Sequence, residues 1–186
     1  MSNLEKLVAE IHTAIDSAQS LSNWLIQAEL ELVTWDIFPA DMFEEILYFI
    51  MSKTFVTREW SWTLLHFLQN NYELLSSEQK ARMVEALVKR YSVLEHWMAA
   101  FVSSEILGIY YADDDLGVSI LRGIANIAPR SLGACIPHGL ETIARATHSD
   151  VIRVNAVTEL ERLRDSSDEH VRDEADISIR KICSNK

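Results

Sequence analysis

Apolar side chains recur three or four residues apart along nearly the whole of this chain, and few residues interrupt the pattern. Leu4, Leu7 and Ile11 begin it directly after the N-terminus. The 186 residues include only 5 glycines and 3 prolines, fewer turn residues than an all-β or α/β protein of this size needs. The spacing therefore predicts an all-α protein, with about nine or ten helices and roughly 65–75% of its residues in helix.

The links between the predicted helices are short, and none is long enough to separate two domains. We expect a single all-α domain over 1–186, with divergent helices in 1–92 and helical repeats, of the kind identified below, in 93–186. Serially connected amphipathic helices of this length favour stacked helix pairs, which form a short α-solenoid. Hydrophobic residues make up 48% of the chain and charged residues 24%, which is ordinary for a globular protein.

The last two predicted helices share a sequence pattern, which begins at Ile152 in one and 19 residues later at Val171 in the other. The pattern is a β-branched residue, an arginine, an alanine and two aliphatic residues at helical spacing. Its members are Ile152, Arg153, Ala156, Leu160 and Leu163 in the first helix, and Val171, Arg172, Ala175, Ile179 and Ile182 in the second. An aspartate, Asp150 or Asp168, stands close to the start of each.

This pattern resembles the HEAT repeat, specifically over about 149–183 and loosely from 114 onward. The resemblance implies an α-solenoid whose family role is mostly protein binding through a concave surface. Small alanines allow close helix approach, and an arginine near a helix start can reach an acid on a neighbouring turn. We therefore expect four structural residues: Arg153 and Arg172, each near an acid such as Asp150 or Asp168, and Ala156 and Ala175, each buried at a helix crossing.

The charge distribution is the strongest functional signal. The formal net charge is −11 at pH 7, which argues against nucleic acid or an anionic membrane as a partner and favours a basic protein. Two windows, 7–52 and 91–121, contain no Lys or Arg. The first window holds eight acids: Glu10, Asp16, Glu29, Glu31, Asp36, Asp41, Glu44 and Glu45. The second holds five: Glu95, Glu105, Asp113, Asp114 and Asp115.

The segment "YYADDD" joins two predicted helices and lies within the second window. One of its three aspartates is expected to cap the next helix, because a carboxylate there satisfies backbone N–H groups and favours the helix dipole. The others either face solvent in an ordinary turn or bind a partner. The candidate partner-binding residues are Tyr110, Tyr111, Asp113, Asp114 and Asp115 here, and Asp41, Glu44, Glu45 and Tyr48 on one face of an earlier helix.

No motif points to catalysis or to a cofactor. The histidines lack metal-ligand spacing, and no glycine-rich phosphate loop or nucleophile motif occurs. We expect Thr57 to cap a helix over the strongly apolar segment that follows it, and His66 within this helix to be a hydrogen-bonded core residue. Trp60 and Trp62 lie about 200° apart around a helix, so either both are buried or one faces another surface. Cys135 and Cys183 do not form a disulfide framework and indicate reduced thiols.

These observations favour a cytoplasmic acidic binding protein that is not an enzyme and needs no metal or cofactor. The N-terminus lacks a signal-peptide pattern, which is part of this expectation. The most concrete form is an immunity or antitoxin-like protein that neutralises a basic toxin such as a nuclease. The alternatives are a helical-repeat scaffold or adaptor and an enzyme with dispersed catalytic residues. Salt-dependent binding would distinguish the first from the second, and an activity screen tests the third.

Overall fold

The computed structural model describes residues 2–128 and 130–184. Helices make up 79% of this part of the chain and it contains no strand, which confirms the all-α class and exceeds the predicted helix fraction. The excess arises because stretches outside the predicted helices also form short helices, at Lys53–Thr57, Tyr72–Leu74 and Arg130–Gly133. None of the helices in the described ranges is long and apolar enough to cross a membrane.

The chain divides into two compact units, Met1–Ala86 and Leu87–Lys186, and the division falls within one helix, α6. The helices up to this point are α1 (Asn3–Ala14), α2 (Ala18–Leu32), α3 (Ala40–Ile50), α4 (Lys53–Thr57), α5 (Trp62–Asn70) and α6 (Ser77–Tyr91). The helices that follow are α7 (Trp97–Tyr110), α8 (Gly117–Ile127), α9 (Arg130–Gly133), α10 (Ile136–Ala146), α11 (Asp150–Arg164) and α12 (Glu169–Ser184).

Local capping chemistry accounts for several helix starts. Ser2 and Glu5 form a reciprocal capping box at α1. The distances from the backbone nitrogen of each residue to the side-chain oxygen of the other are 2.7 and 3.2 Å. Ser76 and Gln79 form the same arrangement at α6. Such a pair satisfies two N–H groups that have no partner within the helix. Ser17 caps α2 because its hydroxyl accepts from the backbone N–H of Ser20 at 3.1 Å.

The first unit is built on a buried aromatic cluster. Trp24 on α2 and Phe38 each contact the ring of Phe67 on α5 edge to face, with centroid distances of 5.8 and 5.9 Å. The indole N–H of Trp24 donates to the carbonyl of Leu7 on α1 at 2.9 Å. The buried polar group is thereby satisfied while the ring fills the core.

Helix α5 differs from its prediction. It begins at Trp62 instead of directly after Thr57, because a 3₁₀ turn at Glu59–Ser61 precedes it. His66 is exposed and not a core residue, since the neighbouring leucines and phenylalanine take the buried face. Trp60 and Trp62 are both half-buried.

The second unit is centred on α10, which packs against α7, α8, α11 and α12. Glycines allow α7 and α10 to approach closely: a Cβ atom on Gly139 would lie only 2.6 Å from the carbonyl oxygen of Ser104. A Cβ atom on Gly108 would lie 2.5 Å from the carbonyl oxygen of Gly139. The hydroxyl of Ser104 donates to the carbonyl of Cys135 at 2.7 Å. The two backbones therefore meet with no room for a side chain between them.

The two arginines of the repeated pattern make an equivalent contact. Arg153 donates from Nη2 to the carbonyl of Thr147 at 2.9 Å, and Arg172 donates from Nη1 to the carbonyl of Ser166 at 3.0 Å. Each carbonyl belongs to the residue six positions before its arginine. Each arginine thus ties the start of its helix to the preceding turn.

The partners of the two arginines also differ. Arg153 forms an ion pair with Asp150 at 2.6 Å. In the described part of the chain, Arg172 has no ion pair with an acid, contrary to expectation. The Asp168 carboxylate instead accepts from the backbone N–H groups of His170 and Val171, at 3.0 and 3.4 Å. Ala156 and Ala175 are both fully buried. A HEAT-like solenoid arrangement stays a prediction.

Candidate functional site

Asp113, one of the predicted partner-binding aspartates, has an internal structural role. Its carboxylate accepts hydrogen bonds from the hydroxyl of Thr147 at 3.0 Å and from the backbone N–H of His148 at 2.8 Å. The ring Nδ1 of His148 lies 3.0 Å from the second carboxylate oxygen. Asp113 therefore joins the α7–α8 turn to the α10–α11 turn.

Asp114 and Asp115 have different environments. The Asp114 carboxylate accepts from the backbone N–H of Leu116 at 2.7 Å. Leu116 is the N-cap residue of α8, and no side-chain hydrogen bond caps this helix among the described residues, so the prediction of an aspartate cap is wrong. Asp115 is exposed, and no hydrogen bond or ion pair to its side chain occurs among the described residues. Of the three aspartates, Asp115 alone is available to a partner without loss of an internal contact.

The two tyrosines before this turn pack on each other. The rings of Tyr110 and Tyr111 meet edge to face with a centroid distance of 4.9 Å, and both residues are half-buried. The Cβ atom of Tyr111 fits against Gly117 so tightly that a side chain there would clash. Burial, followed by the proximity of Tyr110 and Asp114, raises the pKa of Tyr111. Part of each residue is therefore exposed to solvent.

The other predicted set lies on α3 in the first unit. The Glu44 carboxylate accepts two hydrogen bonds from the guanidinium of Arg82 on α6, which lowers the pKa of Glu44. Glu45 lies 2.7 Å from Nε2 of His12 on α1. The ring of Tyr48 is 69% exposed and meets His12 edge to face. Asp41 is exposed and has no hydrogen-bonded or ionic partner among the described residues.

Four of these side chains line a shallow depression of about 470 Å³: His12, Glu44, Glu45 and Tyr48. The depression is open to solvent and combines two carboxylates, an imidazole and an exposed phenol. Carboxylates accept hydrogen bonds from Lys or Arg, and a tyrosine ring supplies contact area at an interface. This surface can therefore receive a basic side chain of a partner protein.

Half of the acids in the window 7–52 have a basic side chain within 4 Å, although that window has no Lys or Arg of its own. Three of these partners are Lys or Arg, and the fourth is His12, which is charged only when protonated. The pairs are Glu10 with Lys6, Asp16 with Arg58, Glu44 with Arg82, and Glu45 with His12. The acids for which no cation lies within 4 Å in the described ranges are Glu29, Glu31, Asp36 and Asp41. The sequence indicated that all eight acids lack a nearby countercharge. In the structure, this is true of four of them.

The two predicted sets belong to different compact units, with α3 in the first and the α7–α8 turn in the second. The convergence of both acidic windows on one face stays a prediction.

A buried carboxylate in the second unit, which the sequence analysis did not single out, holds two arginines. Glu159 on α11 is 1% exposed. Its carboxylate accepts from Arg122 on α8 at 2.6 Å and from Arg162 at 2.6 Å. Burial acts to raise the pKa of Glu159, but the hydrogen bonds from the two arginines outweigh it and leave the pKa below its ordinary value.

A second buried group surrounds His138 on α10. Its Nε2 atom lies 3.1 Å from a carboxylate oxygen of Glu174, without hydrogen-bond geometry, and its Nδ1 atom lies 4.0 Å from Glu141. Glu141 in turn pairs with Arg145 at 3.0 Å and Lys181 at 3.4 Å. These contacts join α10 to α12. Burial lowers the pKa of His138, although the neighbouring carboxylate of Glu174 opposes this effect.

A third feature overlooked in the sequence is an exposed apolar stripe on α2. Ile26 and Leu30 lie on α2, Val33 is its C-cap residue and Ile37 follows it in the chain, with exposed fractions of 60, 70, 86 and 63%. The spacing of four, three and four residues could have revealed it. The opposite face of the helix, with Leu21, Trp24, Ala28 and Leu32, is buried.

The chemistry of the remaining polar groups is limited. Among the described residues, no three His, Cys, Asp or Glu side chains are grouped so that they could hold a metal ion. Burial raises the pKa of Cys135 to about 12, so this residue is a neutral thiol at physiological pH and a poor nucleophile.

Comparison with models of protein families, with curated proteins and with solved structures gave no match.

Proposed function

We propose that this chain is an acidic cytoplasmic protein that binds a basic protein partner. Its most concrete form is an immunity or antitoxin-like protein that neutralises a basic toxin such as a nuclease. One observation carries the proposal: Glu29, Asp36 and Asp41 are exposed, and none has a cation partner in the described ranges. All three lie within the window 7–52, which contains no Lys or Arg.

Unpaired acids of this kind repel one another and lower the stability of the folded chain. A basic partner reverses this cost, because it supplies the missing cations. The same carboxylates increase the rate of association through long-range attraction. Since a nuclease binds phosphate through a basic cleft, an acidic protein of this size can occupy that cleft and block the substrate. The net charge of −11 supports the proposal.

The test begins with a partner purified from the source cell after cross-linking, followed by stopped-flow association with the purified chain. We expect the association rate to fall at least tenfold as salt rises from about 20 to about 300 mM, because screening shortens the range of attraction. A variant with Glu29→Gln, Asp36→Asn and Asp41→Asn should associate more slowly at low salt and depend less on salt. These side chains are exposed, so the variant should fold.

Glu161→Gln is the matched control, because Glu161 is also an exposed acid without a partner in the described residues but lies in the second unit. Its association rate should equal that of the parent. Salt-independent association, or a triple variant that binds like the parent, would contradict the proposal. The immunity form predicts in addition that co-expression protects cells from the toxic activity of the partner.

A further inference from the structure

We propose that the exposed apolar stripe on α2 is the docking surface for a helical segment of a basic protein. This segment would present aliphatic side chains flanked by Lys or Arg. The inference rests on the proposed function for the charge of the partner. It adds where the partner binds and which apolar contacts hold it.

The stripe lies opposite the face of α2 that builds the core. At about 100° per residue, Ile26, Leu30 and Val33 fall within about 60° of one another around the helix axis. The buried residues Leu21, Trp24, Ala28 and Leu32 lie on the other side. Val33 is the C-cap residue and keeps helical dihedral angles, so the stripe runs to the end of the helix. Ile37 adds a fourth exposed aliphatic side chain shortly after it.

Isolated exposed aliphatic residues are common on protein surfaces, whereas several on one helix face form a continuous apolar surface. The spacing of three and four residues is the one by which an amphipathic helix binds in a groove or on a helix face. Val33 is 86% exposed and Leu30 is 70% exposed. Neither side chain is needed to fill the core of its own unit, so both are available for binding.

Charge complementarity identifies the occupant. Glu29 lies beside the stripe, about 40° from Val33 around the helix, and Asp36 lies between Val33 and Ile37 in the chain. Both acids are exposed and neither has a cation within 4 Å in the part of the chain that the structure describes. A second copy of this chain would bring like charges together, and an anionic membrane would be repelled. A helix with basic flanks matches both the apolar stripe and the acids.

The test uses a synthetic amphipathic helical peptide of about 18 residues, long enough for five turns. Leucines occupy one face of the peptide and lysines flank them. A second peptide has serine in place of leucine, and a third has glutamate in place of lysine. Fluorescence anisotropy with the full chain should detect binding of the leucine–lysine peptide and at least tenfold weaker binding of the other two. The serine peptide lacks the apolar contacts, and the glutamate peptide lacks the attraction between opposite charges.

Variants of the chain then locate the contact. Leu30→Ser combined with Val33→Ser should weaken binding of the leucine–lysine peptide about tenfold at every salt concentration. Val151→Ser combined with Val154→Ser is the matched control, since these valines of α11 are exposed to a similar extent, 67 and 62%, in the other unit. The control should bind like the parent. Circular dichroism should be unchanged for both variants.

The outcomes separate this inference from the proposed function. Salt-dependent binding that survives Leu30→Ser with Val33→Ser overturns the docking surface and leaves the proposed function standing. Equal binding of the lysine and glutamate peptides, without salt dependence, overturns both. No binding of the leucine–lysine peptide also overturns the docking surface. Tighter binding to phosphatidylserine vesicles than to the peptide would also overturn it. A dimer in sedimentation that the substitutions Leu30→Ser and Val33→Ser dissociate would overturn it as well.

Discussion

Asp113 and His148 are 35 residues apart in the sequence, and the carboxylate of the first accepts hydrogen bonds from the second at 2.8 Å and 3.0 Å. The backbone N–H of His148 is the main reason that the pKa of Asp113 lies below its ordinary value, followed by contacts with its ring and with Thr147. A residue selected as a partner-binding acid thus connects two turns of the second unit. Its replacement changes stability as well as surface charge.

We therefore expect Asp113→Ala to lower the melting temperature, because three hydrogen-bond donors on Thr147 and His148 lose their acceptor. Asp115→Ala is the control, since its carboxylate has no partner among the described residues. Differential scanning calorimetry at pH 7 measures both. Equal melting temperatures for the two variants would show that the Asp113 contacts do not stabilise the fold. Neutralising all three aspartates together would mix this effect with binding.

Glu159→Gln should reduce the free energy of unfolding by about 1–3 kcal/mol, because a buried carboxylate loses its charge-assisted hydrogen bonds with Arg122 and Arg162. Both arginines are half exposed, so their release to water limits the loss. Glu161→Gln, two residues further along α11, removes an exposed charge and should change stability little. Urea denaturation at pH 7 measures the two variants against the parent.

The stabilisation by Glu159 also depends on pH. Its pKa is lower in the folded chain than the ordinary 4.5. The contribution is therefore complete above about pH 4.5 and is lost as pH falls through the lower folded value. The difference between parent and Glu159→Gln should shrink over that range. A constant difference from pH 7 to pH 3 would argue against the ion-pair origin of the stability.

The burial of His138 predicts a second pH dependence of stability, at higher pH than that of Glu159. Burial keeps its folded pKa below the ordinary 6.5, so the unfolded chain takes up a proton before the folded chain does. Stability from the neutral ring is present above about pH 6.5 and is lost as pH falls toward the folded pKa, by at most about 1.4 kcal/mol per pH unit. Glu174, Lys181, Glu141 and Glu105 face this ring and modulate the loss.

Urea denaturation of the parent and His138→Gln between pH 7.5 and about pH 5 measures this effect. The variant should lose the corresponding slope. His66→Gln is the control, because His66 is exposed on α5, and it should keep the slope of the parent. If His138→Gln has the same pH dependence as the parent, another group is responsible.

The glycines provide a test of the α7–α10 crossing. Gly139→Ala places a Cβ atom 2.6 Å from the carbonyl oxygen of Ser104, and overpacking of this kind costs about 1–3 kcal/mol. Gly123 on α8 has no atom within 4 Å of the added methyl group. Gly123→Ala should therefore stabilise the chain by up to about 1 kcal/mol through helix propensity. Thermal unfolding should move in opposite directions for the two variants.

Several helix starts were predictable because they depend on residues close in the sequence. Ser2, Ser76 and Ser149 cap α1, α6 and α11 through contacts three residues away, so the capping pattern is visible in the chain itself. The start of α5 was predicted wrongly, since the 3₁₀ turn before it has no comparable local signal. His66 was assigned to the core because an almost entirely apolar segment does not reveal which face packs inward.

The sequence by itself determined the all-α class, since helical spacing and capping are local properties of the chain. It also determined the net charge and the stretches without Lys or Arg. Only the tertiary structure decided which acids are paired: Arg82 reaches Glu44 across 38 residues, whereas Asp36 and Asp41 have no cation in the described ranges. Ion pairs and exposure depend on how the helices pack, which brings together side chains distant in the sequence or leaves a face such as the α2 stripe uncovered.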